Sequence, residues 1–184
     1  MIRQTIAILE SCQEPLDGAI ECDESSFGGH RKGKRRAPSG WGCSRQDVGV
    51  KTLVFGILKR NGVVRVFAVD DRRKAMLLPL IVQHTAQGCL YYTDEYWAYA
   101  SLKVRGDQVI VTKDKGRPKG RDHVNGIEGF WSYAKNWLYM CRGVPRKFFH
   151  LYLAETSFRF NHREQDLYSL LYKELRQIHV AQLK

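Results

Sequence analysis

Three acids and one lysine have the types and placement to do chemistry together: Asp23 in "ECDESSFGG", Asp94 after "CLYYT", and Glu128 with Lys135 in "HVNGIEGFWSYAKNWL". Glu128 and Lys135 are seven residues apart, two helical turns or roughly 10 Å of rise. Surface ion pairs sit three or four apart, so this acid and this base are not spaced for each other. Cutting or transferring a phosphodiester requires an activated attacking oxygen, a stabilised leaving oxygen and neutralisation of the added charge. Two divalent metals about 4 Å apart meet all three needs. Hard cations such as Mg²⁺ take oxygen ligands and are held by few carboxylates plus substrate phosphate, so Asp, Asp and Glu suffice. In that scheme Asp23 bridges both ions, Asp94 and Glu128 each hold one, and Lys135 contacts a phosphate.

Each acid also has a plainer reading. Asp23 fits a half-exposed strand acid, and Asp94 fits the cap of a helix beginning near Tyr96. Glu128 fits the third helical position of a capping box whose N-cap is Asn125. Both readings stand for each residue at this level.

The elements that must carry these residues can be read from periodicity. Apolar runs predict strands at 18–27, 51–60 and 62–70, and Asn61-Gly62 marks a hairpin between the second and third, giving an antiparallel meander. Alternation from Ile20 places Cys22 on its face and Asp23 on the opposite one with Glu21. Residues 74–88 have helical length, with Gly88 as the stop and Pro79 in the first turn or at a kink. Short strands follow up to Thr93 and over 107–113. Asp94 thus lies at a strand carboxyl end, where ligands of open α/β sheets gather.

Helical period returns over 123–141, after a break at "RGVP" over 146–164, and in the terminal stretch from Leu167. In the first of these, Ile127, Phe130, Trp131, Ala134, Trp137, Leu138 and Cys141 form one apolar stripe. Glu128 and Lys135 fall together at one border of it, about 100° and 80° from Ile127, which predicts a semi-sheltered position where helix meets sheet. Trp131 and Trp137 read as core, whereas Tyr133, Trp97 and Tyr99 have no assigned role. The order of elements predicts an α/β class, a mixed sheet of three antiparallel strands plus further strands flanked by helices; the ribonuclease H-like fold is the best-known arrangement of this order, which the order alone does not prove.

The 184 residues suit one domain with a sizeable core, and their formal charge of +11 suits a polyanionic partner. The excess is concentrated in two runs: Arg31, Lys32, Lys34, Arg35 and Arg36, and Lys115, Arg117, Lys119 and Arg121. These, with Asn125, are candidates for binding a nucleic-acid backbone. Arg159, Asn161 and Arg163 in "FRFNHR" either bind phosphate or tether the last helix. Five scattered cysteines without a C-x-x-C pair argue against a disulfide framework or zinc ribbon and for a reducing compartment. No apolar stretch approaches membrane-spanning length, and no G-x-S-x-G nucleophile motif is present.

Taken together, "CDESSFGG", "YYTDEYWAY", "HVNGIEGFWSYAKNWL" and "FRFNHR" resemble the successive signatures of bacterial insertion-sequence transposases of the DDE superfamily. The similarity is to the ISXO-like branch, in which a lysine follows the Glu by seven residues. The spacings agree, with 94 − 23 = 71 and 128 − 94 = 34 residues between acids. The resemblance runs from about Gly18 to Arg163. It implies a ribonuclease H-like catalytic domain, two Mg²⁺ or Mn²⁺ ions held by Asp23, Asp94 and Glu128, and Lys135 as fourth catalytic residue. It further implies strand cleavage and transfer at the inverted-repeat ends of a mobile element and into target DNA, a homo-oligomer assembled on DNA, and a bacterial cytoplasmic, nucleoid-associated location.

The expected organisation is a short N-terminal remnant over 1–17, the catalytic domain over 18–165 and a C-terminal helical extension over 166–184. A non-catalytic DNA-binding remnant and a host nuclease of the same fold are the competing readings.

Overall fold

The computed structural model describes residues 2–11, 13–28, 51–94, 105–111, 123–141 and 144–182. Strand β1 (Ala19–Phe27) is the hub of a five-stranded sheet of order β3-β2-β1-β4-β5. It pairs antiparallel with β2 (Thr52–Lys59), which pairs antiparallel with β3 (Val64–Val69). On its other edge it pairs parallel with β4 (Leu90–Thr93), and β4 pairs parallel with β5 (Gln108–Ile110). Three antiparallel strands continued by two parallel ones make this a ribonuclease H-like sheet, the fold that the family resemblance implies. The β2–β3 turn follows its sequence: Asn61 takes φ +56°, and Lys59 and Val63 close the hairpin at 2.9 Å.

Alternation divides β1 between two cores. Ile20 and Cys22 join Phe55, Ile57 and Tyr91 under Leu77 and Ile81 of helix α2 (Lys74–His84). Val54, Leu58, Val64 and Tyr92 face the other way, against Ile127, Phe130, Trp131 and Ala134 of α3 (Asn125–Met140) and Leu153 of α4 (Phe149–Asn161). A 3-10 turn, Arg146–Phe148, leads into α4, and α5 (Leu167–Gln182) ends the described chain.

Two helix ends differ from expectation. Helix α2 stops at His84, where Thr85 turns extended and its hydroxyl donates to Ile81 O at 2.6 Å, so a threonine cap replaces the predicted stop at Gly88. Gly88, at φ +83°, instead shapes the turn into β4 and donates to Arg105 O. Pro79 lies inside α2, beyond its first turn. Helix α3 begins one residue earlier than the capping-box reading requires. Val124 is its N-cap without a side-chain bond, Asn125 is already helical, and Glu128 N donates to Val124 O at 3.1 Å. The acid that serves this helix start is Glu21 of β1, whose Oε2 accepts from Ile127 N at 2.9 Å.

A helix the sequence reading did not assign, α1 (Ile2–Ser11), packs on α4. Ile6 is buried, Arg3 donates to Glu155 at 2.6 Å, and Ser157 donates to Glu10 at 2.9 Å.

Candidate metal centre and its supports

Asp23 and Asp94 are brought together by strand register. The parallel ladder pairs Ala19 with Leu90 and Glu21 with Tyr92, so counting two residues on from the last pair sets Asp23 beside Asp94. Each strand step alternates faces, so the same count turns both side chains the same way. Carboxylate oxygens of Asp23, Glu24 and Asp94 all lie within 4.8 Å of one another, and all three residues are half-buried. The donor set is three hard oxygens, which suits Mg²⁺ or Mn²⁺ and is poor for the softer metals that prefer thiolate or imidazole.

Glu24 was not a sequence candidate. Alternation assigns it to the face opposite Asp23, but β4 ends at Thr93 whereas β1 runs on to Phe27. Past the end of that ladder, side chains from both faces of β1 can turn to the same strand end. The signal available was the "DE" pair itself, placed beyond the last residue of the neighbouring strand.

The support on the α3 side is specific. Trp131, 4% exposed, donates its indole N–H to Asp23 Oδ2 at 3.1 Å. It seats over Gly56, the cross-strand partner of Asp23, where an added Cβ would lie 2.7 Å from the indole. Two residues earlier on β1, Glu21 is 1% exposed and accepts from Arg60 Nε at 2.9 Å as well as from Ile127 N. The Arg60 guanidinium also lies 3.4 Å over the Tyr92 ring and donates to His123 O. A charge that deep is tolerable only when paired and fully hydrogen-bonded.

Cys22, between these two acids, is no candidate ligand or nucleophile. Burial, and then the carboxylates of Glu24 and Asp23, push its thiol far above the ordinary range, so it stays protonated.

Glu128 and Lys135 are both exposed, which corrects the semi-sheltered position expected of them. The stripe is fully buried only at Ile127, Phe130, Trp131 and Ala134, so residues at its border stand in solvent. Glu128 falls outside the tight grouping of Asp23, Glu24 and Asp94. Asn125 is exposed at the first position of α3.

The "FRFNHR" stretch is engaged within the fold. Asn161 accepts from Val64 N at 2.8 Å and donates to Val64 O at 3.0 Å, so its amide bridges α4 to β3 and has no group to spare for phosphate. Arg159 donates twice to Glu155 and stacks on Trp137, while Arg163 donates to Phe160 O. These contacts tie the end of α4 to itself, to α3 and to β3. Tyr133 rests on Phe160, with ring centroids 5.6 Å apart, and burial raises its hydroxyl above the usual range. Both basic runs, Arg31 to Arg36 and Lys115 to Arg121, lie outside the described residues, as do Trp97 and Tyr99. Among the described residues, no helix is long and apolar enough to cross a membrane.

Residues 15–161 match the family model of an ISXO2-like transposase domain. The chain is 32% identical over 97 residues to a transposase-like protein of Haemophilus influenzae, an alignment covering 52% of this chain and 79% of that one. Among solved structures, it is similar to the catalytic core domain of HTLV-2 integrase in complex with magnesium. That match has a TM-score of 0.48 and 10% identity, over 81% of this chain and 90% of the integrase core. It is also similar to the Mos1 strand transfer complex, with a TM-score of 0.33 and 13% identity, over 88% of this chain and 58% of that one.

Proposed function

Since the chain belongs to the ISXO2-like transposase domain family, a DDE-superfamily group of insertion-sequence transposases, we propose that it cleaves and transfers DNA strands at the ends of an insertion sequence in a metal-dependent reaction. The observation that carries this reading is the parallel β1–β4 register, which sets Asp23, midway along β1, beside Asp94, the residue that follows the last of β4. Asp23 would bridge two Mg²⁺ or Mn²⁺ ions, with Asp94 holding one and Glu128 the other. Bound there, the ions would supply charge stabilisation for the attacking and leaving oxygens of an in-line displacement.

The chain's own residues do the rest. Asp23 projects from a strand paired with β2, and Asp94 directly follows the last paired residue of β4, so the sheet positions both. Glu128 stands in the first turn of α3, whose start is fastened to β1 through Glu21, so the helix carries it as a preset third ligand. Lys135, two turns on, meets a phosphate near the centre as a point charge. The basic runs Arg31 to Arg36 and Lys115 to Arg121 bind the DNA backbone, drawing on the net charge of +11. Strand transfer joins two element ends to a target, so the working form is a homo-oligomer assembled on DNA.

The test is incubation with Mn²⁺ and duplexes carrying the element's own terminal repeats. Nicking at the repeat end should be lost in Asp23→Asn and Glu128→Gln while DNA binding is kept. DNA binding without nicking by the wild-type chain, or nicking unchanged in both variants, contradicts the proposal.

A further inference from the structure

Helix α3 is fastened to β1 at two points: Ile127 N–H to Glu21 at 2.9 Å, and the Trp131 indole N–H to Asp23 at 3.1 Å. The two donors are four residues apart on the helix, about 6 Å of rise. The two acceptors are two residues apart on the strand, about 6.6 Å. About one turn of the helix and two residues of the strand therefore separate the two bonds. A one-residue slip of α3, about 1.5 Å along its axis, would break both bonds.

A glycine lets each half of the clasp close. A Cβ on Gly126 would lie 2.9 Å from Glu21 Oε2, and one on Gly56 would lie 2.7 Å from the Trp131 ring. On the helix, Glu128 and Lys135 project about 60° and 40° from Trp131 and to the same side, at 100° per residue. The residue that grips Asp23 is therefore the pivot from which both are directed.

We propose that Trp131 is a positioning residue of the acidic centre. Its indole N–H fixes one oxygen of Asp23, and with Glu21 it sets the axial register of α3, so that Glu128 and Lys135 address the strand end where Asp23, Glu24 and Asp94 meet. This rests on the metal-dependent reading of that centre. A hydrogen bond that orients a metal-binding carboxylate is worth about 10- to 100-fold in metal affinity. A tryptophan that only filled the core would affect unfolding and leave metal affinity alone.

The test is Mn²⁺ titration of the full chain, without DNA, followed by electron paramagnetic resonance of the free ion. Trp131→Phe keeps a ring in the core and removes the N–H. Its Kd for Mn²⁺ should rise about 10- to 100-fold, and the Mn²⁺ concentration for half-maximal nicking should rise by the same factor. A Kd within about twofold of wild type, with Asp23→Asn abolishing binding, overturns the positioning role and leaves the centre intact. Absence of Mn²⁺ binding by the wild-type chain overturns both.

Should Trp131→Phe fail to fold, the indole ¹⁵N–¹H resonances of the wild-type chain decide, assigned through single replacements of the other three tryptophans. The Trp131 signal should move on Mg²⁺ addition and in Asp23→Asn. A Trp131 signal that moves in neither overturns the proposal.

Discussion

Replacing Glu21 by Ala removes a carboxylate that is 1% exposed and holds two partners: Arg60 Nε at 2.9 Å and Ile127 N at 2.9 Å. The Ile127 N–H is left buried without an acceptor, which costs about 1–3 kcal/mol. The Arg60 side chain, 18% exposed, loses its counter-ion. Breaking a buried pair from one side costs about 3–5 kcal/mol, a range that includes the orphaned donor. Arg60 keeps the Tyr92 ring and the His123 carbonyl, which places Glu21→Ala toward the lower part of that range. Glu21→Gln retains an acceptor for Ile127 and loses only the charge, so about 1–3 kcal/mol is expected.

Urea unfolding at unchanged m-value measures these losses. For a chain of this size they correspond to about 2–4 °C in Tm per kcal/mol. Arg60→Ala should cost as much as Glu21→Ala, and the double variant should fall short of the sum by at least about 1 kcal/mol. A Glu21→Ala loss under about 1 kcal/mol, or an additive cycle, refutes the idea that this pair secures α3 to β1.

Three further outcomes are expected. Burial lifts the Glu10 carboxyl from 4.5 to about 7, against the opposing effects of the Ser157 hydroxyl, Arg65 and Asn161. Because the folded value lies above the unfolded one, the chain is favoured below pH 4.5 and loses about 3 kcal/mol as pH rises through about 7. Glu10→Gln should therefore flatten denaturant stability between those limits, and an unchanged slope counts against the burial argument. Gly56→Ala forces a Cβ to 2.7 Å from Trp131 and should cost about 1–3 kcal/mol by thermal unfolding. A neutral result would show that α3 does not sit hard on β2. Metal-free Asp94→Asn should be more stable than wild type by about 1 kcal/mol at low salt, since three carboxylates lie within 4.8 Å, and the gain should shrink as salt is added. Equal stability at low salt would mean that the group is not mutually repulsive.

Local pattern reached the strands and the faces of β1: alternation from Ile20 put Asp23 and Glu21 together, and both do point at α3. Asn61-Gly62 announced its hairpin because a left-handed residue is a local requirement. Pairings between distant segments left no local trace. The cap of α3 comes from an acid 106 residues away, so "NGIE" invited a capping box that the fold does not use. Helix α1 was legible in part. Ile6 with Arg3 and Glu10 marks one face, yet what makes that face stable is Glu155 and Ser157 on α4. Glu24 required knowing where β4 stops relative to β1, and the helical wheel overestimated shelter for Glu128 and Lys135 because it cannot show how far a neighbouring layer extends.

Anomalous diffraction from crystals of the full chain soaked in Mn²⁺ tests the metal-centre reading most directly. Two peaks about 4 Å apart are expected beside the middle of β1 at the carboxyl end of β4, both within ligand distance of Asp23, one also at Asp94 and the other at Glu128. Saturating Mn²⁺ that leaves no anomalous density at Asp23 and Asp94 would contradict it.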